Sequence, residues 1–127
     1  MSESILLEKA KNFAVDVIRI SKSIRETQHE FVLTNQMLRA GTSIGANIHE
    51  SKYAHSTMDF ISKMQIALKE CYETEYWLEL LFRTDYIPDV QYRALLHTCG
   101  ELRRMLIASI NTTKEHVPTK ATKSISK

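Results

Sequence analysis

The sequence has few of the residues that make tight turns. Its 127 residues include three glycines and two prolines, whereas sandwiches and barrels need a turn after every short strand. This scarcity favours a few long helices over a sheet. No apolar run approaches the roughly 20 residues of a membrane span, and no signal peptide is recognisable. We therefore expect a cytoplasmic protein without a membrane partner.

Cysteine is also scarce. Cys71 and Cys99 have neither the spacing of a zinc site nor that of a C-x-x-C redox motif. In the cytoplasm the favoured interpretation is two reduced, buried thiols, and a disulfide is the alternative that stays open. The two residues are nearly equidistant from a turn near Tyr86. In an antiparallel hairpin they should lie at one level, with their sulfurs close together.

Most of the chain has no excess of positive or negative charge. The net charge is +2, but residues 112–127 contain four lysines and one glutamate. The remainder is therefore close to neutral, which is weak evidence for a nucleic-acid-binding surface. We interpret residues 118–127, which follow Val117-Pro118, as a flexible basic tail. Residues 1–117 form the folded domain.

Apolar residues recur at helical spacing in four segments, about 4–24, 27–53, 56–83 and 89–114. In the first segment the apolar positions step by four and three, as in Leu6, Ala10, Phe13, Val17, Ile20 and Ile24. Thr27 with Glu30, and Ser56 with Asp59, have the spacing of capping boxes, and Asp89 after Pro88 can cap the last helix. Four amphipathic helices with short connections predict an all-α, antiparallel up-down-up-down four-helix bundle.

The second helix has two adjacent apolar rows, which are Leu38, Gly41, Gly45 and Ile48 beside Leu33, Met37, Ala40 and Ile44. A face this wide exceeds what one neighbouring helix covers. The helix therefore either lies between two others or meets a second subunit. Gly41 and Gly45, four residues apart, are expected to let another helix backbone approach closely. Each glycine costs the isolated helix about 1 kcal/mol, which close packing must offset.

The same segment contains Gly41-Thr42-Ser43-Ile44-Gly45, the G-x-S-x-G pattern of a hydrolase nucleophile. That motif requires a strand, a strained turn and a helix, whereas both flanks here keep helical periodicity. We therefore interpret Ser43 as part of a polar row that is formed by Arg39, Ser43, Asn47 and Glu50. Arg39 and Glu50 are too far apart to pair and should find partners on other helices. The row either fixes helix register or subunit contact, or it builds a ligand or RNA site.

Other candidate sites are weaker. His49-Glu50 begins the zinc motif H-E-x-x-H, but Tyr53 occupies the position of the second histidine. We therefore expect no metal and no cofactor. Trp77 lies in a segment that is rich in aromatic residues, and core or interface packing is a better explanation there than stacking on RNA bases.

Several short motifs resemble those of a four-helix-bundle family encoded in intervening sequences of bacterial 23S ribosomal RNA genes, also called S23 ribosomal proteins. The resemblance covers residues 5–115. It rests on Arg39, Ser43-Ile44, Ala46-Asn47-Ile48, Glu50, Asp59-Phe60, Ile66-Ala67-Leu68-Lys69-Glu70, Glu73-Thr74, Tyr76-Trp77-Leu78 and Thr84-Asp85-Tyr86-Ile87. It implies a left-handed bundle that forms a homo-oligomer, with a pentameric ring, and no assigned enzymatic activity. The family also resembles the accessory protein of diversity-generating retroelements, which binds a reverse transcriptase and nucleic acid.

The function that we favour is a non-enzymatic, oligomeric helical scaffold or adaptor, contacting RNA or a ribonucleoprotein or another nucleic-acid-handling protein. In the alternative, nucleic-acid binding is the main activity. The basic side chains that would make this contact are Lys9, Lys11, Arg19, Lys22, Arg103, Arg104, Lys120 and Lys123. An enzyme is a distant third hypothesis, because no general acid–base pair, nucleophile triad or phosphate-binding loop is recognisable.

Overall fold

The computed structural model describes residues 3–117, which form four α-helices. Helix α1 spans Glu3–Gln28, α2 spans Val32–Ser51, α3 spans Thr57–Arg83 and α4 spans Asp89–Glu115. The predicted tail, with Lys120 and Lys123, lies outside the described residues. Within the described part of the chain there is no strand, so the predicted all-α class is confirmed.

The periodic apolar positions form the core. All six residues of the stripe predicted on α1, from Leu6 to Ile24, are buried. Equivalent stripes on the other helices meet it along the bundle axis. The largest fully buried side chains are Phe13, Ile24, Met37, Ile44, Ile48, Met64, Leu78, Leu81, Leu102 and Leu106. Burial of these side chains, each contributing about 1.5–3 kcal/mol, is the main stabilising term of the fold.

Neighbouring helices run antiparallel because the connections 29–31, 52–56 and 84–88 are too short for anything else. Each helix packs closely against two others, and in residues 3–117 no Cα atoms of the diagonal pairs α1–α3 and α2–α4 lie within 8 Å of each other. Helix α2 therefore lies between α1 and α3 within one subunit. This position accounts for its wide apolar face, so that face needs no second subunit to cover it.

The start of α2 differs from the prediction. Thr27 belongs to the last turn of α1, where its hydroxyl donates to the Ser23 carbonyl at 2.7 Å, so the capping box predicted from Thr27 was wrong. His29 ends α1 in the left-handed conformation, with φ of 56°. Glu30 alone caps α2, because its carboxylate accepts the amides of Val32, Leu33 and Thr34 at 2.9–3.0 Å. The helix consequently begins about four residues later than predicted.

Of the caps predicted for the other two helix starts, the one for α3 is confirmed and the one for α4 is wrong. Ser56 accepts the amide of Asp59 at 3.1 Å, and Asp59 accepts the amide of His55 at 3.1 Å. The capping spacing predicted for α3 is therefore confirmed. Asp89, which we expected to cap α4, lies inside its first turn. Its carboxylate binds Arg93 instead, and Pro88 occupies the position before the helix.

The two cysteines lie at the same level of the α3–α4 pair, as predicted. The Cys99 thiol donates to the Cys71 carbonyl oxygen over 3.4 Å, both side chains are fully buried, and both thiols are free. The hydrogen bond with Cys71, together with burial, raises the pKa of Cys99 far above its usual range. Because the thiolate is the reactive form, Cys99 is protected both sterically and electrostatically.

We expect Ellman's reagent at pH 8 to titrate two thiols at once in guanidinium chloride, without added reductant. In native protein the same reaction should be slower by about two orders of magnitude, because the helices must open first. Fast reaction of the native protein would contradict the buried geometry. Absence of free thiols in denaturant would instead indicate a disulfide.

Candidate interaction face on α2 and α3

The polar row predicted on α2 lies beside a complementary row on α3. Arg39 pairs with Glu73 and, at 3.4 Å, with Glu70, while Glu50 lies 3.6 Å from Lys63. Arg39 and Glu50 thus find partners on another helix, as expected. We call this surface the α2–α3 face and define it by Arg39, Ser43, Asn47 and Glu50 of α2 and by Lys63, Ile66, Glu70, Glu73, Tyr76 and Trp77 of α3.

Glu73 is the centre of a hydrogen-bonded cluster on this face. Its Oε2 atom accepts the Trp77 indole N–H at 3.0 Å and also pairs with Arg39. The bond from Trp77, followed by that from Arg39, lowers the pKa of Glu73 despite partial burial. Trp77 also packs against Tyr76 edge to face, with 5.0 Å between the ring centroids. The cluster joins the two helices and holds both aromatic rings at the surface.

The middle of the polar row bonds to its own helix. Ser43 donates to the Arg39 carbonyl at 2.7 Å, and Asn47 donates to the Ser43 carbonyl at 2.8 Å. Only the two ends of the row therefore cross to α3. Ser43 lies inside α2 rather than on a strand–turn–helix corner, so the structure does not give it the surroundings of a hydrolase nucleophile.

The two glycines of α2 lie against α1, on the opposite side of the helix from the row's ion pairs. A Cβ atom added at Gly41 would lie 2.9 Å from Val17 Cγ1, which is too close for any real contact. At Gly45 it would lie 3.5 Å from Ala10 Cβ, an ordinary van der Waals distance. The close helix approach at this segment is thus made within the subunit, and it is tightest at Gly41.

Sequence reasoning did not single out the α3 half of the face as a site. Lys63, Ile66, Glu70, Glu73 and Trp77 follow one another in steps of three and four, so one stripe could have been recognised. The apolar periodicity of residues 56–83 instead predicted the buried stripe that lies next to this one. Ile66 is 41% exposed and Tyr76 is 55% exposed, so both present apolar surface to the solvent.

The predicted basic residues do not form one patch. Lys9, Lys11, Arg19 and Lys22 are exposed along α1, and Arg19 lines a groove of about 320 Å³ between α1 and α4 that also includes Asp16. Arg103 and Arg104 belong to α4. Arg103 faces α3, where its Nε atom donates to Glu75 at 3.1 Å and its guanidinium lies over the Tyr72 ring. Helix α4 thus separates Arg103 from Arg19.

The described residues offer neither a metal site nor a membrane-spanning helix. Among residues 3–117 there is no group of three histidine, cysteine or acidic side chains arranged to hold a metal ion. His49 instead lies near the Tyr53 ring, with 5.6 Å between the ring centroids. None of the four described helices combines the length and apolar character that crossing a bilayer requires.

Comparison with known proteins agrees with this architecture. Residues 2–108 match the family described as 23S rRNA-intervening sequence protein. An S23 ribosomal protein family member from Bacteroides thetaiotaomicron, whose crystal structure was determined at 1.70 Å, is 47% identical in sequence to this chain. The match covers 87% of this chain and 99% of that one, with a TM-score of 0.86. Among curated proteins, none shows significant similarity.

Proposed function

Since this chain belongs to the 23S rRNA-intervening sequence protein family, we propose that it is a non-enzymatic, homo-oligomeric helical scaffold whose subunits meet through the α2–α3 face. The observation that carries the proposal is the pairing of charges on this face. Arg39 pairs with both Glu70 and Glu73, and Glu50 lies beside Lys63. A surface whose charges are already paired can leave water at a lower cost than one with isolated charges.

The uncharged part of the face also suits a subunit interface. Ile66 and Tyr76 are exposed next to the paired charges, and Trp77 is held in place by Glu73. Tyrosine and tryptophan are enriched at protein interfaces relative to the rest of the surface. The outer surface of α1 also exposes apolar side chains, at Ile5, Val15 and Ile18, but it has no exposed aromatic ring and carries four exposed basic side chains. It is therefore the surface that an oligomer would leave open to a partner such as RNA or a ribonucleoprotein.

The alternative, in which nucleic-acid binding is the main activity, has less support from the geometry. Arg19 lies in the α1–α4 groove beside Asp16, and Arg103 is engaged by Glu75 on the other side of α4. Cations that are separated in this way do not make the continuous basic surface that follows a phosphate backbone. We therefore keep RNA contact as a property of the scaffold rather than as its defining activity.

The proposal predicts that Ile66→Asp dissociates the oligomer. A carboxylate placed at the centre of an interface without a partner is expected to cost about 3 kcal/mol or more per contact. Sedimentation velocity at micromolar concentration should therefore show monomers, while circular dichroism should show an unchanged helix content. Native mass spectrometry of the unmodified protein measures the number of copies, for which the family resemblance implies five.

Val15→Asp is the matched control, because Val15 is 42% exposed on α1 against 41% for Ile66 on α3. It adds the same charge at a helical position of equal exposure but away from the proposed interface. It should leave the assembly intact. A monomeric unmodified protein, or equal sedimentation of both variants with that protein, would contradict the proposed interface.

A further inference from the structure

Gly100 has no role in helix packing, unlike the other two glycines. It lies in the middle of α4, where a glycine destabilises a helix relative to alanine. Gly41 and Gly45 face the side chains of α1. At Gly100, in contrast, the nearest atoms to an added Cβ belong to two arginines of the same helix, Arg103 and Arg104. Gly100 itself is buried and these two side chains lie over it, so the missing side chain leaves a hollow that receives guanidinium groups rather than a neighbouring helix.

Two guanidinium groups converge on this hollow. The Arg104 Nη1 atom lies 3.3 Å and the Arg103 Nη2 atom 3.6 Å from the position that a Cβ of residue 100 would occupy. Residues of α3 hold Arg103 in this position. Its Nε atom donates to Glu75 at 3.1 Å, and its guanidinium lies over the Tyr72 ring, 5.5 Å from the ring centroid. Its remaining donors are therefore preorganised toward the hollow.

The hollow is part of a surface cavity of about 400 Å³, within the range of small-molecule sites of about 300–1,000 Å³. Its lining consists of Glu75, Arg93, Leu96, His97, Gly100, Arg103 and Arg104. Glu75 is the one acidic residue among them, and it is engaged by Arg103.

The other basic residues of the cavity differ in their partners. Arg93 binds Asp89 at 2.8 Å, and His97 lies 3.7 Å from Glu101. For Arg104, no carboxylate of residues 3–117 lies within 4 Å. The cavity therefore contains one guanidinium that is exposed and uncompensated, next to a second whose outer nitrogen is directed at the same point.

We infer that Gly100, Arg103 and Arg104 form a binding site for a phosphate group. Two guanidinium groups can donate several charge-assisted hydrogen bonds to phosphate oxygens, and the absent side chain at residue 100 lets both groups approach the helix at one point. This inference deepens the proposed function, because it adds to the open basic surface of α1 a second contact, on α4, for a phosphate-bearing partner. The phosphate is either a free anion or part of a nucleic-acid backbone.

Isothermal titration calorimetry of the full chain with sodium pyrophosphate, at constant ionic strength, tests the site. We expect saturable binding, and Arg104→Gln should raise the Kd about tenfold through the loss of charge-assisted bonds. Gly100→Leu keeps both arginines but fills the hollow, and it should weaken binding to a similar degree. Arg83→Gln, which removes an equal charge at an exposed position outside the cavity, should change the Kd by less than about twofold, since exposed charges at a distance are screened by salt.

A second titration with a short single-stranded RNA of mixed sequence distinguishes the two sources of phosphate. If Arg104→Gln weakens RNA binding and reduces its salt dependence by about one ion, the site holds a backbone phosphate. If Arg104→Gln weakens pyrophosphate binding alone, the site holds a free anion. Absence of saturable pyrophosphate and RNA binding, or equal effects of Arg104→Gln and Arg83→Gln on both, would overturn the inference.

The assembly state of each variant is measured in parallel by sedimentation velocity. Arg104 lies outside the α2–α3 face, so Arg104→Gln should sediment like the unmodified protein. A failure of phosphate binding with intact oligomers would therefore reject this site alone. A monomeric unmodified protein that still binds phosphate would reject the proposed interface and leave the site in place.

Discussion

Replacing Gly41 with leucine is expected to lower the free energy of unfolding by about 3 kcal/mol, through overpacking of the α1–α2 contact. The new Cβ would lie 2.9 Å from one methyl carbon of Val17 and 3.1 Å from the other. Val17 is fully buried, and a β-branched side chain in a helix has one strongly preferred rotamer, so it cannot move aside. Chemical denaturation followed by circular dichroism measures the loss.

Gly100→Leu is the matched control for this prediction. Its Cβ would meet the flexible ends of two arginines, so the gain in helix propensity, about 1 kcal/mol over glycine, should keep the protein at least as stable. Adding Val17→Ala to Gly41→Leu should recover part of the lost stability, which a double-mutant cycle detects. If both leucine variants unfold at the same denaturant concentration, the close contact at Gly41 does not limit packing.

Glu30→Ala is expected to destabilise the protein by about 2 kcal/mol, at the upper end of measured helix-cap effects. The variant leaves the amides of Val32, Leu33 and Thr34 without their acceptor, and the Thr34 hydroxyl also loses a bond. Thermal and denaturant unfolding at neutral pH measure this effect. Glu26→Ala, at an exposed position of α1, should change the stability by less than about 0.5 kcal/mol.

The contribution of Glu30 should depend on pH. Partial burial acts to raise the pKa of Glu30, but the bonds from the Thr34 hydroxyl and the three amides outweigh it and lower the pKa below 4.5. A carboxylate with a lowered pKa stabilises the folded state above its unfolded pKa, and this stabilisation disappears as the pH falls through the folded value. The stability difference between the unmodified protein and Glu30→Gln should therefore shrink below pH 4.5. A constant difference down to pH 2 would contradict ionic capping.

Most of the fold could be predicted because its signals are local. The buried stripe on α1 was recognised from spacing alone, and Ser56 with Asp59 correctly marked the start of α3. The error at α2 arose because Thr27 and Glu30 have the spacing of a capping box, although Thr27 was still part of α1. The Glu30 carboxylate alone accepts the free amides at the start of α2, whereas in a capping box two side chains would share them. Whether Thr27 ends α1 or begins α2 depends on the left-handed turn at His29, which no short sequence pattern reveals.

The candidate sites could be predicted less well than the fold, because they depend on how the helices pack against each other. The sequence identified Arg39 and Glu50 as polar positions of α2, but their partners Glu70, Glu73 and Lys63 are 13 to 34 residues away in the chain. Their meeting depends on the register between two antiparallel helices, which is set by the core side chains of both. Gly100, a glycine in the middle of a long helix, lies beneath two converging guanidinium groups, and its spacing from other residues does not reveal this.

Helix number, class, order and buried stripes therefore follow from periodicity and turn residues, because each element contains its own pattern. The roles of the three glycines do not, since identical residues on similar helices face different surroundings. Gly41 meets a rigid valine, Gly45 an alanine at ordinary distance, and Gly100 the mobile ends of arginines. Whether a missing side chain permits helix contact or opens a hollow depends on the neighbouring side chains, and these are brought together only when the bundle is packed.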